Sequence, residues 1–248
     1  KEDLHHKWSD SKNFSLRKDE VTGCEYYWPN IDHFSFPNQM KTFKPVIAEV
    51  NSFVKNKHTV LQAGGNCGVY TGEYAKYYEN VYTFEPDMTN MNCLVMNTSG
   101  CNNIIKFQAC LGDTHDMTSI QNPLEIMDIG SLHVKTKEDR PEKLLVVESK
   151  ENIPILKIDD IKFNDLDLIH LDIEGYELYA LKGGVETIKR FRPVIVLEVC
   201  EDDHNEKYYY TRDDLESFLQ TLGYVFIKKI NANGDNVYMH ESLVSQKV

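Results

Sequence analysis

At 248 residues the chain has room for one substantial hydrophobic core and is short for two. A formal net charge of −12, from 39 acidic against 27 basic residues, disfavours non-specific binding to phosphate backbones while leaving room for a local basic groove, and no nucleic-acid partner is expected. No apolar run approaches the ~20 residues of a membrane span, and no secretory n-region and h-region pattern is present. The six cysteines (Cys24, Cys67, Cys93, Cys101, Cys110 and Cys200) form neither a CxxC pair nor a zinc spacing. They read as small buried hydrophobes of a reducing, intracellular and therefore cytoplasmic protein. The first residue is Lys1 rather than Met, as expected of a piece of a longer polypeptide.

Residues 1–40, including "CEYYWPNIDHFSFPNQM", are aromatic but carry Pro29 and Pro37 and no sustained period. A loop-rich arm or cap is expected there, with the main domain over 41–248. From Phe43 the residues Val46, Ile47, Val50, Phe53 and Val54 recur at helical spacing, and Pro45 suits a first helical turn. A strand over 59–63 leads into the turn "GGNCG" and a helix over 70–78 carrying Tyr70, Tyr74, Tyr77 and Tyr78. "VYTFEPD" is a second strand, and 87–99 a helix with Met88, Met91, Leu94 and Val95 on one face and Gly100 as its C-cap. "NIIKFQACLGD" is a third strand ending near Ala109.

The stretch 112–155 is ambiguous, with "KLLVVESK" and "IPILKID" as strand candidates. Beyond it, a strand ends at Asp172, a helix carries Leu178, Leu181, Val185 and Ile188, and another strand covers 194–199. Thr211 and Asp214 form a capping box for a helix over 212–222. "YVFIKKI" and "NVYMH" close the chain as a hairpin through Asn233-Gly234. Strands and helices alternating at this pitch predict an α/β fold around a mostly parallel sheet.

The turn between the first strand and its helix carries Gly64, Gly65 and Gly68, and such a turn at a helix N-terminus suits a nucleotide-like ligand. Glu85 ends the second strand about 20 residues on, where a carboxylate can accept from both hydroxyls of a ribose. A dinucleotide asks for GxGxxG, whereas this turn is followed by Val69 and Tyr70 without the later glycine. S-adenosylmethionine has no pyrophosphate to seat, tolerates the shorter pattern and is the favoured ligand.

"VLQAGGNCGVYTGEYA", "YTFEPD", "FQACLGD" and "LIHLDIEGYELYALKGGVETIKRFRPVIVLEV" together resemble the FkbM-type S-adenosylmethionine-dependent methyltransferases over residues 45–200. That family combines an acid-x-G-A-N-x-G turn, a strand ending F-E-P, a D-x-E-G-x-E segment and a P-x-x-x-x-E strand. Here Gln62 replaces the usual acid, Gly65 the Ala, and His170 a common Lys. The resemblance implies a Rossmann-like class I methyltransferase fold. Its sheet would have seven strands, mostly parallel, with a closing antiparallel hairpin and helices on both faces.

It also implies that Gln62, Ala63, Gly64, Asn66 and Gly68 meet the methionine part of the donor. Glu85 would hold the ribose, Pro86, Ala109 and Cys110 would flank the adenine, and Tyr70 and Thr71 would reach the donor carboxylate. The family methylates hydroxyls, often of sugars, so a sugar or glycan acceptor is implied. With Lys1 in place of an initiator Met, a module of a larger glycan-building protein, fused to other enzymatic domains, is expected.

Asp172 and Glu174 leave the fourth strand and Glu198 ends the fifth, and ligands of open α/β sheets bind beyond those strand ends. An alcohol needs a base or a divalent cation to become a nucleophile. Asp172, Glu174 and His204 are the candidate catalytic groups. Asp172 and Glu198 are the candidate ligands of Mg²⁺ or Mn²⁺. Tyr208, Tyr209 and Tyr210 offer faces for stacking on a sugar ring. Glu177 reads as a helix-start acid complementing the dipole. Two rival functions stay open: an RNA ribose methyltransferase, and an inert donor-binding scaffold, which the uncharged Gln62 allows.

Overall fold

The structure is a computed structural model that describes residues 13–20, 22–32, 34–123, 132–134, 146–148, 152–199, 208–230 and 234–244. The described part of the N-terminal arm is more ordered than the sequence suggests. It forms an antiparallel hairpin of β1 (Phe14–Lys18) and β2 (Glu25–Pro29), followed by α1 (Ser35–Phe53). Buried Asp32 joins the two. Its carboxylate accepts from Trp28 Nε1 at 2.6 Å and from the backbone amides of Ser35 and Phe36 at 3.1 and 3.0 Å. These amides are orphan donors of a helix start, so Asp32 caps α1 from three residues upstream. α1 thus begins before Phe43, and Pro45 stands in its exposed interior rather than in its first turn.

The central sheet is built from β3 (Thr59–Ala63), β4 (Asn80–Phe84), β5 (Ile104–Phe107), β12 (Leu168–Leu171), β13 (Val194–Glu198), β14 (Tyr224–Lys229) and β15 (Asp235–His240). Its order is β14-β15-β13-β12-β3-β4-β5. β3 pairs in parallel with both β12 and β4, while β15 runs antiparallel to β13 and β14. The intervening helices are α2 (Val69–Tyr74), α3 (Met88–Asn97), α4 (Glu177–Lys182), α5 (Val185–Phe191) and α6 (Arg212–Thr221), with α7 (Glu241–Val244) at the end.

Strand alternation distributes the core. Val60 packs with Val46, Ile47 and Val50 of α1 and Tyr74 of α2, whereas Leu61 joins Leu178, Leu181, Ile188 and Leu215 on the opposite face. Helices therefore cover both faces. Among the described residues no helix is long and apolar enough to cross a membrane.

The ambiguous stretch resolves into two small sheets between β5 and β12. β6 (Cys110–Leu111), β7 (Met117–Thr118) and β11 (Ile153–Leu156) form one. β8 (Ile120–Pro123), β9 (His133–Val134) and β10 (Val146–Glu148) form the other. "IPILKID" contains β11 and "KLLVVESK" contains β10.

Three local expectations are corrected. The helix predicted around 178–188 is interrupted at Gly183-Gly184, where the Gly112 carbonyl and Ile158 press against the chain, and Asp159 caps the resumed α5 through the Thr187 amide at 2.8 Å. α3 buries Thr89, Asn90, Cys93 and Leu94, leaving Met88 and Val95 exposed, because it packs on β2 and the glycine turn. Its C-cap is Thr98 rather than Gly100. The capping box of Thr211 and Asp214 forms as predicted at the start of α6.

Candidate active site

A cavity of about 250 Å³ opens at the C-terminal ends of β3, β4, β12 and β13. Its floor is the glycine turn. The amides of Gly64 and Gly65 both donate to the Phe84 carbonyl, at 3.1 and 2.8 Å, so the end of β4 holds the turn. Gly64 has φ +82°, and a Cβ there would stand 1.8 Å from the backbone oxygen of Asp172. The Asp172 amide donates to the Ala63 carbonyl at 3.1 Å, extending the parallel pairing one residue past β12. The turn is bare at Gly64 because a neighbouring strand end occupies the space a side chain would take.

Gly68 has its open side toward Leu94 and Thr98 of the α3 region rather than toward the cavity. Neither Gly68 nor Thr71 lines it, and Thr71 is fully buried. Gln62, Ala63, Gly64, Asn66, Tyr70, Glu85, Pro86, Ala109 and Cys110 do. Burial, followed by the charge of Glu85, pushes the Cys110 thiol up to about 12, so it stays neutral.

Glu85 is buried beside the turn. Its Oε2 accepts from the Asn66 amide at 2.6 Å and its Oε1 from the Asp87 amide at 2.8 Å. Burial, then the charge of Asp87, lifts its pKa to about 8 against the opposing pull of those amides.

At the other end, Asp172, Glu174 and Glu198 each bring a carboxylate oxygen within 4.8 Å of the others. Asp172 is open to the cavity but walled by protein on its other sides. Loss of hydration raises its pKa; a hydrogen bond with Glu198 opposes that, while Glu174 and Asp235 add to it.

Residues 63–226 match the family model described as the Methyltransferase FkbM domain. The chain belongs to the FkbM methyltransferase family. Among solved structures it is similar to the methyltransferase FkbM from Methylobacillus flagellatus KT, at 18% identity over 82% of this chain and 52% of that one, with a TM-score of 0.46. It therefore spans about half the length of that protein. A SAM-dependent methyltransferase from Aquifex aeolicus shares 16% identity over 82% of this chain and 91% of that one, with a TM-score of 0.43. Magnesium protoporphyrin IX methyltransferase from Synechocystis PCC 6803 shares 9% identity over 95% of this chain and 89% of that one, with a TM-score of 0.47. No curated protein matches. The family and the strand order together establish the Rossmann-like class I methyltransferase fold.

Within this FkbM fold, Gln62 is a lock of the turn. Its Oε1 accepts from the hydroxyls of Thr71 and Thr83 at 3.0 and 2.8 Å, and its Nε2 donates to the Gly64 carbonyl at 2.7 Å. Both carbonyl lone pairs are taken, so the acceptor expected to face a donor ammonium is already engaged. An acid here would repel the Gly64 carbonyl that the amide holds.

Glu177 does start α4, but its carboxylate turns inward. Oε1 accepts from the amides of Ile173 and Gly175 at 3.0 and 3.3 Å, and burial lifts its pKa to about 7. It clamps the loop on which Glu174 sits at φ +57°. Tyr210 tightens the same loop through its hydroxyl on the Gly175 carbonyl at 2.7 Å. Tyr208 donates to the Val134 carbonyl at 2.7 Å. Both rings are buried, and Tyr209, though exposed, does not line the cavity. Tyr176 does line the cavity, near Cys110 and stacked on Tyr179 at 5.0 Å between centroids.

His204 lies outside the described residues. His170 lines the cavity with Nδ1 at 2.7 Å from the Tyr74 hydroxyl and Nε2 at 3.7 Å from Asp235. Asp235 pairs across strands with Glu198 and adds a fourth acid to this end. Sequence reading missed it, although the Gly234 turn and the alternation of β15 would have set its register. No Lys or Arg is among the described lining residues.

Proposed function

We propose that this chain is an S-adenosylmethionine-dependent O-methyltransferase acting on a hydroxyl of a sugar or glycan, as one module of a larger glycan-building protein. The observation that carries the reading is the cavity itself. Glu85 stands at one end, four acids at the other and the turn between them, and no Lys or Arg is among the described lining residues. S-adenosylmethionine supplies an electrophilic methyl group when bound.

Glu85 accepts from the ribose hydroxyls, using the lone pairs its two amide bonds leave free. Pro86, Ala109 and Cys110 enclose the adenine, and the main chain of Ala63, Gly64 and Asn66 meets the amino-acid part. Asp172 or Glu174 takes the acceptor's hydroxyl proton, and the surrounding walls hold the acceptor oxygen in line. The oxygens of Asp172, Glu174 and Glu198 fit a hard divalent cation such as Mg²⁺ or Mn²⁺, which would lower the pKa of a bound hydroxyl. A phosphate-bearing acceptor would face these acids unscreened, which speaks against RNA. The described part of the N-terminal arm, the β1–β2 hairpin with the start of α1, acts as a cap on the rest of the domain.

The test is calorimetry with S-adenosylhomocysteine, then transfer of labelled methyl to sugars and to RNA. Label in sugar is the expected result. Label in RNA supports the ribose reading instead, and binding without transfer supports the scaffold.

The pKa of Glu85 adds a prediction. Its rise from 4.5 to about 8 means that the apo fold favours the protonated acid. That contribution is complete below about 4.5 and is lost as pH rises through about 8. The melting temperature of the free protein should fall across this window, less so in Glu85→Gln. Ribose hydroxyls need the ionised form, so affinity for S-adenosylhomocysteine should rise across the same window. Glu85→Ala should weaken binding about 10- to 100-fold, matching ~1.5–3 kcal/mol for hydrogen bonds to a charged group. A pH-independent affinity would remove Glu85 from the site.

A further inference from the structure

We propose that one face of α1 forms the outer wall of the donor site, with Ser35 bonding the ribose end and Gln39 the amino-acid end of the donor. This rests on the methyltransferase reading above. Ser35, Asn38, Gln39 and Thr42 all line the cavity and recur at the spacing of a single helix face. All four are uncharged hydrogen-bonding residues, and they precede the segment matched by the family model.

The direction of the stripe is fixed at both ends. Phe36 of α1 shares a cluster with Cys67 and Cys93, and the amide of neighbouring Asn66 donates to Glu85, so Ser35 stands at the Glu85 end. Thr42 lies against the Tyr70 hydroxyl, and the Tyr70 ring is 5.9 Å from that of His170, beside the acids. Ser35 and Gln39 stand four residues apart, about 6 Å along the helix, the order of distance from a donor's ribose to its amino-acid end.

An independent observation points to a ligand. Ser35 Oγ is buried and has no hydrogen-bond partner among the described residues, although Ser35 lines the cavity. Asn90 does the same from the other side of Glu85: its side chain interacts with the Glu85 carboxylate while Oδ1 is left without a partner among the described residues. An unpaired buried polar atom costs stability, so the free fold alone gives no reason for a hydroxyl at position 35. With no bond to break among the described residues, Ser35 Oγ is free to move between staggered wells about the Cα–Cβ bond to meet a ligand in the cavity that the residue lines. Ionised Glu85, the form that binds the ribose, only accepts, whereas the Ser35 hydroxyl both donates and accepts. Together they match a ribose diol, which both donates and accepts.

The test is titration of the full chain and of Ser35→Ala, Gln39→Ala and Lys41→Ala, the last on the exposed side of the same helix. With S-adenosylhomocysteine, Ser35→Ala and Gln39→Ala should each weaken binding about 3- to 10-fold, the worth of one net hydrogen bond, and Lys41→Ala should not change it. Adenosine lacks the amino-acid end, so only Ser35→Ala should weaken its binding. The melting temperature of Ser35→Ala should be no lower than that of the parent chain. Parent-like affinity in both variants overturns the inference while leaving the methyltransferase reading intact. An equal loss in Lys41→Ala also overturns it, because the effect would then be a general weakening of the helix. Absence of S-adenosylhomocysteine binding by the parent chain removes the methyltransferase reading, and the inference with it.

Discussion

Gly64→Ala is expected to lower the melting temperature by roughly 5–15 °C and to abolish binding of S-adenosylhomocysteine. Two costs combine. A left-handed backbone conformation costs a side-chain-bearing residue ~1–2 kcal/mol, and overpacking adds ~1–3 kcal/mol. In a domain of this size each kcal/mol moves the melting temperature by about 2–4 °C. The clash at Gly64 is with backbone, the Asp172 oxygen at 1.8 Å, so no rotamer change relieves it. Relief requires separating the ends of β3 and β12, which moves the acid end of the cavity away from the turn. Gly100→Ala is the control, since nothing lies within 4 Å of its added Cβ and its effect should be small. Scanning calorimetry decides. A Gly64→Ala protein that melts like its parent would show that β12 does not close on the turn as described.

Gly64 also shows what a sequence reveals and what it hides. The position of the glycine turn at the end of β3, and Glu85 at the end of β4, follow from local patterns of apolar runs and breakers, which fix strand ends well. What the bare backbone makes room for is a tertiary fact, and here it is another strand. The polar stripe on α1 escaped notice because Pro37, Pro45 and the aromatic run obscure its period. The capping acid, Asp32, lies outside the helix it starts. Buried Asn90 was hidden on α3 because Met88 and Val95 form the more apolar-looking face, whereas that helix packs against β2. Tyr208 and Tyr210 look like a solvent-facing pair beside a charged run. Their hydroxyls find backbone carbonyls, which lets both rings enter the core. The alternation of β15 sets the face of Asp235, but that it stands opposite Glu198 follows only from the antiparallel pairing of β15 with β13, between residues far apart in sequence.

Asp172→Asn is expected to cut turnover by at least ~100-fold, the low end of what a positioned base or its equivalent contributes. Affinity for S-adenosylhomocysteine should stay within about threefold, because the donor is held mainly by the turn and Glu85, and Asp172 meets the turn through its backbone rather than its side chain. The substitution is nearly isosteric, and the contacts that hold this strand end are made by the Asp172 backbone, its amide on the Ala63 carbonyl and its oxygen against Gly64. The side chain can therefore change without loosening the turn.

Stability provides a second readout with a definite sign. The Asp172 pKa is raised in the fold by partial loss of hydration, against a hydrogen bond with Glu198 and with help from Glu174 and Asp235, so its ionised form weakens the fold as pH rises above the ordinary carboxylate range. Asparagine removes that charge and can donate to Glu198, so the melting temperature at neutral pH should hold or increase. A lower melting temperature would mean that the loss of turnover came from damage to the fold. Activity of the parent chain should also fall on chelation and return with Mg²⁺ or Mn²⁺, since three oxygens within 4.8 Å repel one another unless a cation or a proton lies between them. If chelation leaves the rate unchanged while Asp172→Asn still abolishes it, Asp172 acts as a plain base and the cation is wrong. If Asp172→Asn turns over like its parent, the acid end of the cavity is not where the methyl group moves.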